Sequence, residues 1–232
     1  MQSLPTNYRA LVIGSSGAIG SAMVAHLRAD PRCGELVGLG RSSTPRLDLE
    51  DESTIAAAAA ALRASGPWHL VVVATGMLHG PGQMPEKRLA QLRCDDMLRS
   101  FAINAVGPAA VLTHFTPLLA REERSLFAVL SAKVGSIGDN RLGGWYSYRA
   151  AKAALNMIVK TASIELARTH PRTVLAALHP GTVDSRLSAP FHAAHGKRPA
   201  SQAAADLLAV LDKLDPAESG SFHAYDGERL PW

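Results

Sequence analysis

Cysteine is scarce in this chain, with Cys33 and Cys94 the only two among 232 residues. Two thiols without metal-ligand spacing speak against a zinc–thiolate site or a disulfide framework and point to free cysteines in a reducing compartment. Aromatic residues make up only 5%. None is interleaved with a basic run, so a net charge of +4 from 24 basic and 20 acidic residues carries no nucleic-acid signature. No apolar run approaches the length of a membrane span, and the longest read as strands of five or six residues. The segment Met1–Arg9 lacks the basic start and apolar stretch of a signal peptide, so a cytoplasmic location is expected. A long-period repeat is also missing. What remains is a globular composition, 47% hydrophobic and 19% charged, read as one domain over residues 1–232.

Apolar runs alternate with turn residues and helical patterns along the whole chain. Ala10–Ile13 reads as a strand that ends in Gly14-Ser15-Ser16-Gly17-Ala18-Ile19-Gly20, followed by a helix with Ile19, Met23, Val24 and Leu27 on one face. Further strands are expected at Glu35–Leu39, Arg46–Leu49, His69–Ala74, Ser125–Ser131, Thr173–Leu178 and Ser221–Tyr225. Helices are expected at Glu50–Ala64, from Asp95-Asp96 towards Leu119, at Tyr148–Arg168 and at Ser201–Leu214. This alternation predicts an α/β, Rossmann-type doubly wound fold, with about seven mostly parallel strands and helices on both faces.

Ligands of such folds bind beyond the carboxyl ends of the strands. The glycine loop, Arg41, Ala74-Thr75-Gly76, Ser131 and Pro180-Gly181-Thr182 all fall there. A glycine loop between a strand and a helix lets the backbone approach a pyrophosphate at a helix N-terminus. The residue closing the second strand distinguishes the two nicotinamide dinucleotides. An acid binds a free ribose hydroxyl, whereas Arg41, with Ser42 and Ser43 behind it, suits a 2′-phosphate and favours NADP(H) over NAD(H).

Tyr148 and Lys152 stand four apart on one helix, so their side chains share a face. A phenol donates protons poorly at neutral pH unless a neighbouring cation favours its ionised form. Tyr146 has alanine four residues on, which makes Tyr148 the better general acid/base. Asn104 lies mid-helix among apolar neighbours and needs hydrogen-bond partners there, while Gly107-Pro108 should kink the helix. His192 and His195 have helical metal-like spacing but no third ligand, so no metal is expected. The Pro-punctuated stretch 184–199 suits a mobile lid. With Trp145, Met77, His79 and Leu142 it is expected to wall a substrate pocket.

Together these features resemble the short-chain dehydrogenase/reductase family over essentially the whole chain, in the branch of C-factor-like proteins and sniffer-type carbonyl reductases. The branch likeness rests on Ser131, Gly135-Ser136-Ile137 and Gly143 to Tyr148. The resemblance implies that Tyr148 protonates a small carbonyl substrate, or deprotonates an alcohol, with NADP(H) as hydride carrier. It implies that Lys152 lowers the tyrosine pKa and holds the nicotinamide ribose, and that Asn104 holds a water linking Lys152 to solvent. Asp48-Leu49 would contact adenine, and Pro180-Gly181-Thr182-Val183 would cover the carboxamide. Homodimers or homotetramers through the Asn104 and Tyr148 helices are the family expectation.

The chain departs from the family pattern at three places. Gly17-Ala18 alters the glycine loop, and Ala74-Thr75-Gly76 replaces asparagine-alanine-glycine. Ala132 occupies the usual place of the catalytic serine, leaving that role to Ser131 or Ser136. This last departure motivates an alternative, a cofactor-binding signalling or sensor protein with weak turnover. An isomerase or dehydratase on the same scaffold is a further possibility.

Overall fold

The computed structural model describes residues 1–192 and 196–232. Six parallel strands form one sheet: β1 (Tyr8–Ile13), β2 (Cys33–Leu39), β3 (Leu70–Val73), β4 (Ser125–Leu130), β5 (Thr173–His179) and β6 (Ser221–Ala224). Their order is β2-β1-β3-β4-β5-β6. The helices are α1 (Ala18–Ala29), α2 (Glu52–Leu62), α3 (Cys94–Phe101), α4 (Gly107–Phe115), α5 (Tyr146–Thr169) and α6 (Ala200–Lys213). A π-helical stretch, Ala102–Val106, joins α3 to α4.

Strand alternation divides the core into two layers. Leu11, Ile13, Val71, Val73, Phe127 and Val129 pack with residues of α2, α4 and α5. Ala10, Val12, Leu70, Val72, Leu126 and Ala128 pack with residues of α1 and α6 on the other face. Both faces are therefore covered, as continuous apolar strands require. The strand order reverses between β1 and β3, and this switch point opens the crevice that the rest of the molecule serves.

Two expectations change. Arg46–Leu49 is not a strand, and this accounts for six strands in place of about seven. Its backbone groups find local partners instead: Leu47 N–H donates to Gly40 O, and Asp48 N–H to Thr54 Oγ1. An isolated bridge, Asp48 with Asp51, is all that remains of pairing there. Second, the continuous helical run Cys94–Leu118 spans 25 residues and includes an 18-residue stretch of mean hydropathy 1.2, long and apolar enough by composition to cross a membrane. In this fold it packs against α2 and α5 instead.

Candidate active site

At the switch point the loop after β1 touches the loop after β3. Gly14 adopts φ +85°, and a Cβ there would lie 2.8 Å from both Ala74 O and Thr75 Cγ2. Only glycine accommodates that conformation together with that approach. The adjoining cavity, about 450 Å³, is lined by Gly14, Ser16, Gly17, Arg41, Asp48, Leu49 and Ala74-Thr75-Gly76 among others. No side chain caps the N-terminus of α1, which leaves its first amides open to an anion. Thr75 Oγ1 is buried without a partner at the same place. Those features fit a dinucleotide.

Ser15, by contrast, turns towards β2, where its hydroxyl donates to Leu39 O at 3.3 Å. Ala18, Ile19 and Gly20 lie in the first turn of α1. Arg41 and Ser42 are exposed beside the cavity. Pro180–Val183 does not line it. That segment is held by Arg198, whose main chain donates to Thr182 O at 2.8 Å and whose side chain reaches Pro180 O at 3.3 Å. The Arg198 guanidinium also stacks on Tyr225, 3.6 Å from the ring centre.

Asn104, fully buried, is satisfied by the loop after β3. Its Oδ1 accepts from Met77 N at 2.9 Å, and its Nδ2 donates to Met77 O at 2.7 Å and to Ser100 Oγ at 3.3 Å. The expected kink takes the form of the π turn, at whose end Pro108 offers no N–H to the Asn104 carbonyl. The side chain is thus occupied by Met77 and Ser100.

Lys152 and Tyr148 are 2% and 8% exposed. Lys152 Nζ donates to Leu130 O at 2.8 Å and sits 5.9 Å from the centre of the Tyr148 ring. A Cβ placed on Gly76 would lie 3.4 Å from Asn104 Oδ1 and 3.7 Å from Lys152 Nζ, so three sequence-distant segments meet there. Burial pushes the Lys152 ammonium down to about 7. The same cause raises the Tyr148 phenol above its ordinary value. Desolvation therefore outweighs the expected lowering of the phenol by Lys152.

Neither candidate serine is idle. Ser131 Oγ donates to Asn156 Oδ1 at 2.7 Å, and Ser136 Oγ accepts from Asp139 N at 3.1 Å.

An aromatic group stands on the far side of Tyr148. Trp145 packs edge-on to Tyr148 at 6.3 Å and against Phe191 at 5.1 Å, and Phe191 lies 5.9 Å from His79. His79 Nε2 also lies 3.1 Å from Arg186 O, tying the segment after β5 over the crevice. Met77 and His79 line the glycine-loop cavity. Leu142 is 91% exposed and does not line that cavity. Of the His192–His195 pair, His195 lies outside the described residues. Among the described residues, no three His, Cys, Asp or Glu side chains gather as a metal site. Arg99, which lines the cavity and lies 3.6 Å from Glu50, had no local sequence signal, whereas Phe191 falls in the 184–199 stretch.

Residues 19–225 match a family model described as "Enoyl-(Acyl carrier protein) reductase". The chain is 31% identical over 234 residues to "Short-chain dehydrogenase srdF" of Neurospora crassa, covering 96% of this chain and 87% of that one. This chain belongs to the short-chain dehydrogenase/reductase family. Another member, 1-hydroxy-2-glutathionyl-2-methyl-3-butene dehydrogenase of a Rhodococcus strain, is 33% identical over 198 residues, 85% of this chain and 84% of that one. C-signal of Myxococcus xanthus is 39% identical over 137 residues, 59% of this chain and 79% of that one. Among solved structures, NADPH-bound carbonyl reductase from chicken fatty liver superposes with a TM-score of 0.86 over 99% of this chain and all of that one, at 22% identity. That likeness extends the short-chain dehydrogenase/reductase fold over the full chain. The family model and the two dehydrogenase relatives support an oxidoreductase.

Proposed function

We propose that this protein is a cytosolic, NADP(H)-dependent oxidoreductase, one domain throughout, that interconverts a carbonyl and an alcohol on a small organic substrate. The observation that carries the reading is the meeting of Tyr148, Lys152, Asn104 and Gly76 beside a glycine-lined crevice. Gly14, Ser16, Gly17, Asp48, Leu49 and Ala74–Gly76 would hold the dinucleotide, with Arg41 at a 2′-phosphate. When bound, the nicotinamide supplies or accepts hydride. Tyr148 gives the carbonyl oxygen its proton in reduction and takes it back in oxidation. Lys152, with a pKa near neutrality, alternates readily between ammonium and amine; as ammonium it favours the phenolate and would hold ribose hydroxyls. The Asn104 carbonyl would carry the water that feeds Lys152. Of the two serines, Ser131 has committed its proton to Asn156, so Ser136 is better able to donate to substrate.

Trp145, Phe191 and His79 make the surroundings of Tyr148 largely apolar, which suits an uncharged substrate. Leu98 and Val106, with Met157 and Ile164 on α5, are exposed apolar residues on the Asn104 and Tyr148 helices and support a homodimer or homotetramer.

The test is a titration with NADPH and NADH, repeated on Arg41→Asp, followed by Tyr148→Phe over a panel of carbonyls. NADPH should bind the parent more tightly, and Arg41→Asp should lose about tenfold or more of that affinity. Tyr148→Phe should bind NADPH yet cease to oxidise it. Equal binding of NADH and NADPH to the parent overturns the Arg41 assignment, and retained turnover in Tyr148→Phe overturns the mechanism. A second reading, a cofactor-binding signalling protein, rests on Ala132 and on the likeness to C-signal. A cellular function untouched by Tyr148→Phe would favour it.

A further inference from the structure

One buried acid takes no part in that chemistry. Glu86 is 7% exposed, on the loop between β3 and α3, yet every partner it finds belongs to the start of α5. Its carbonyl accepts from Trp145 N at 2.5 Å. Its Oε2 accepts from Ser147 N at 3.2 Å, and its Oε1 accepts from the Ser147 hydroxyl. The residue capping α5 is Trp145, in the left-handed region at φ 51°, with no capping hydrogen bond from its own side chain. A bulky residue holds that conformation only when its surroundings impose it. A serine or aspartate at the N-cap would normally satisfy the first amides of a helix. Here an acid about 60 residues upstream does so, where the helix dipole also favours negative charge.

We propose that Glu86 is a positioning residue of the active site. It clamps the first turn of α5, and with it the phenol of Tyr148, and it keeps Trp145 where its indole packs edge-on to that phenol and against Phe191. Without the carboxylate, Ser147 loses both partners, and Trp145 keeps only its bond to the main-chain carbonyl of residue 86. The first turn then frays, while the dinucleotide cradle, built on β1, β2 and β3, stays intact. The assignment of Tyr148 as acid underlies the kinetic half of this proposal; the structural half stands independently of it.

The experiment compares Glu86→Ala and Glu86→Gln with the parent chain by steady-state kinetics, NADPH titration and hydrogen exchange. Glutamine can still accept from Ser147 N and can donate to its hydroxyl, so it should restore the clamp. Expected for Glu86→Ala is a kcat lower by about tenfold or more, with NADPH affinity within about twofold of the parent. Peptides covering 145–149 should exchange faster while those covering 153–169 do not. Glu86→Gln should recover kcat to within about threefold and restore the protection. Should Glu86→Ala fail to fold, Glu86→Asp, whose carboxyl is drawn back by one methylene, replaces it and should show the same pattern at smaller amplitude. A kcat unchanged in Glu86→Ala, or a loss shared equally with NADPH binding and not recovered by glutamine, overturns the proposal. If the parent turns over no carbonyl, the functional reading fails, and exchange at 145–149 alone decides: faster in the alanine variant supports the clamp, unchanged removes it.

Discussion

Asn104 holds Met77 by both of its backbone groups, accepting from its N–H at 2.9 Å and donating to its carbonyl at 2.7 Å. A helix on one side of the crevice is thereby pinned to the loop that leaves β3 on the other. Lys152 Nζ, at 2.8 Å from Leu130 O, completes the frame from α5.

Replacing Asn104 with alanine removes both bonds and leaves two backbone groups unpaired in a buried place. The expected cost is about 2–4 kcal/mol of unfolding free energy, read by urea titration. Because Gly76 is one residue from Met77, NADPH affinity should fall with it. A variant as stable as the parent would show that Met77 finds other partners.

Lys152→Met should separate stability from activity. The folded chain holds this lysine at about 7, against an ordinary value of 10.5. Below about pH 7 both folded and unfolded chains carry the proton, and the burial penalty is felt in full. Between about 7 and 10.5 only the unfolded chain keeps it, so this group's contribution makes stability rise with pH across that window. The methionine variant should therefore be about 1–3 kcal/mol more stable near pH 6 and lose that advantage as pH rises. Its turnover should fall by about a hundredfold or more. Thermal melts of both chains at several pH values check the sign.

Ser131→Ala and Ala132→Ser test what the two positions do. Asn156 Nδ2 already lacks a partner, so losing the Ser131 hydroxyl strands the whole amide, at a cost of about 1–3 kcal/mol. Turnover per folded molecule should hardly change. Ala132→Ser adds a hydroxyl at the place the family reserves for one and should raise kcat by about tenfold. The reverse pattern, with activity lost on Ser131→Ala, would return the polarising role to Ser131.

The periodicity of the Tyr148 helix, the glycine turn after β1 and the parallel strands were legible because each depends on neighbours a few residues away. The helix begins at Tyr146, two residues earlier than its apolar pattern implies, because the clamp on Ser147 comes from Glu86 rather than from a local cap. Arg46–Leu49 looked like a strand because short apolar–polar alternation does not reveal whether a sheet neighbour is available. The π turn around Asn104 follows from Gly107-Pro108 only as a disturbance, and the bonds its side chain makes with Met77 join it to another segment.

Residue order alone determined the doubly wound plan, the place of the cofactor crevice and the pairing of Tyr148 with Lys152, since these rest on period, turn chemistry and spacing of four. The folded chain decided how deeply that pair is buried, and hence that desolvation rather than mutual attraction governs both groups. It also decided which distant acid and amide hold the surrounding segments in place. Such contacts join residues tens of positions apart, and a buried group's free energy depends on what surrounds it in space, which no local pattern records.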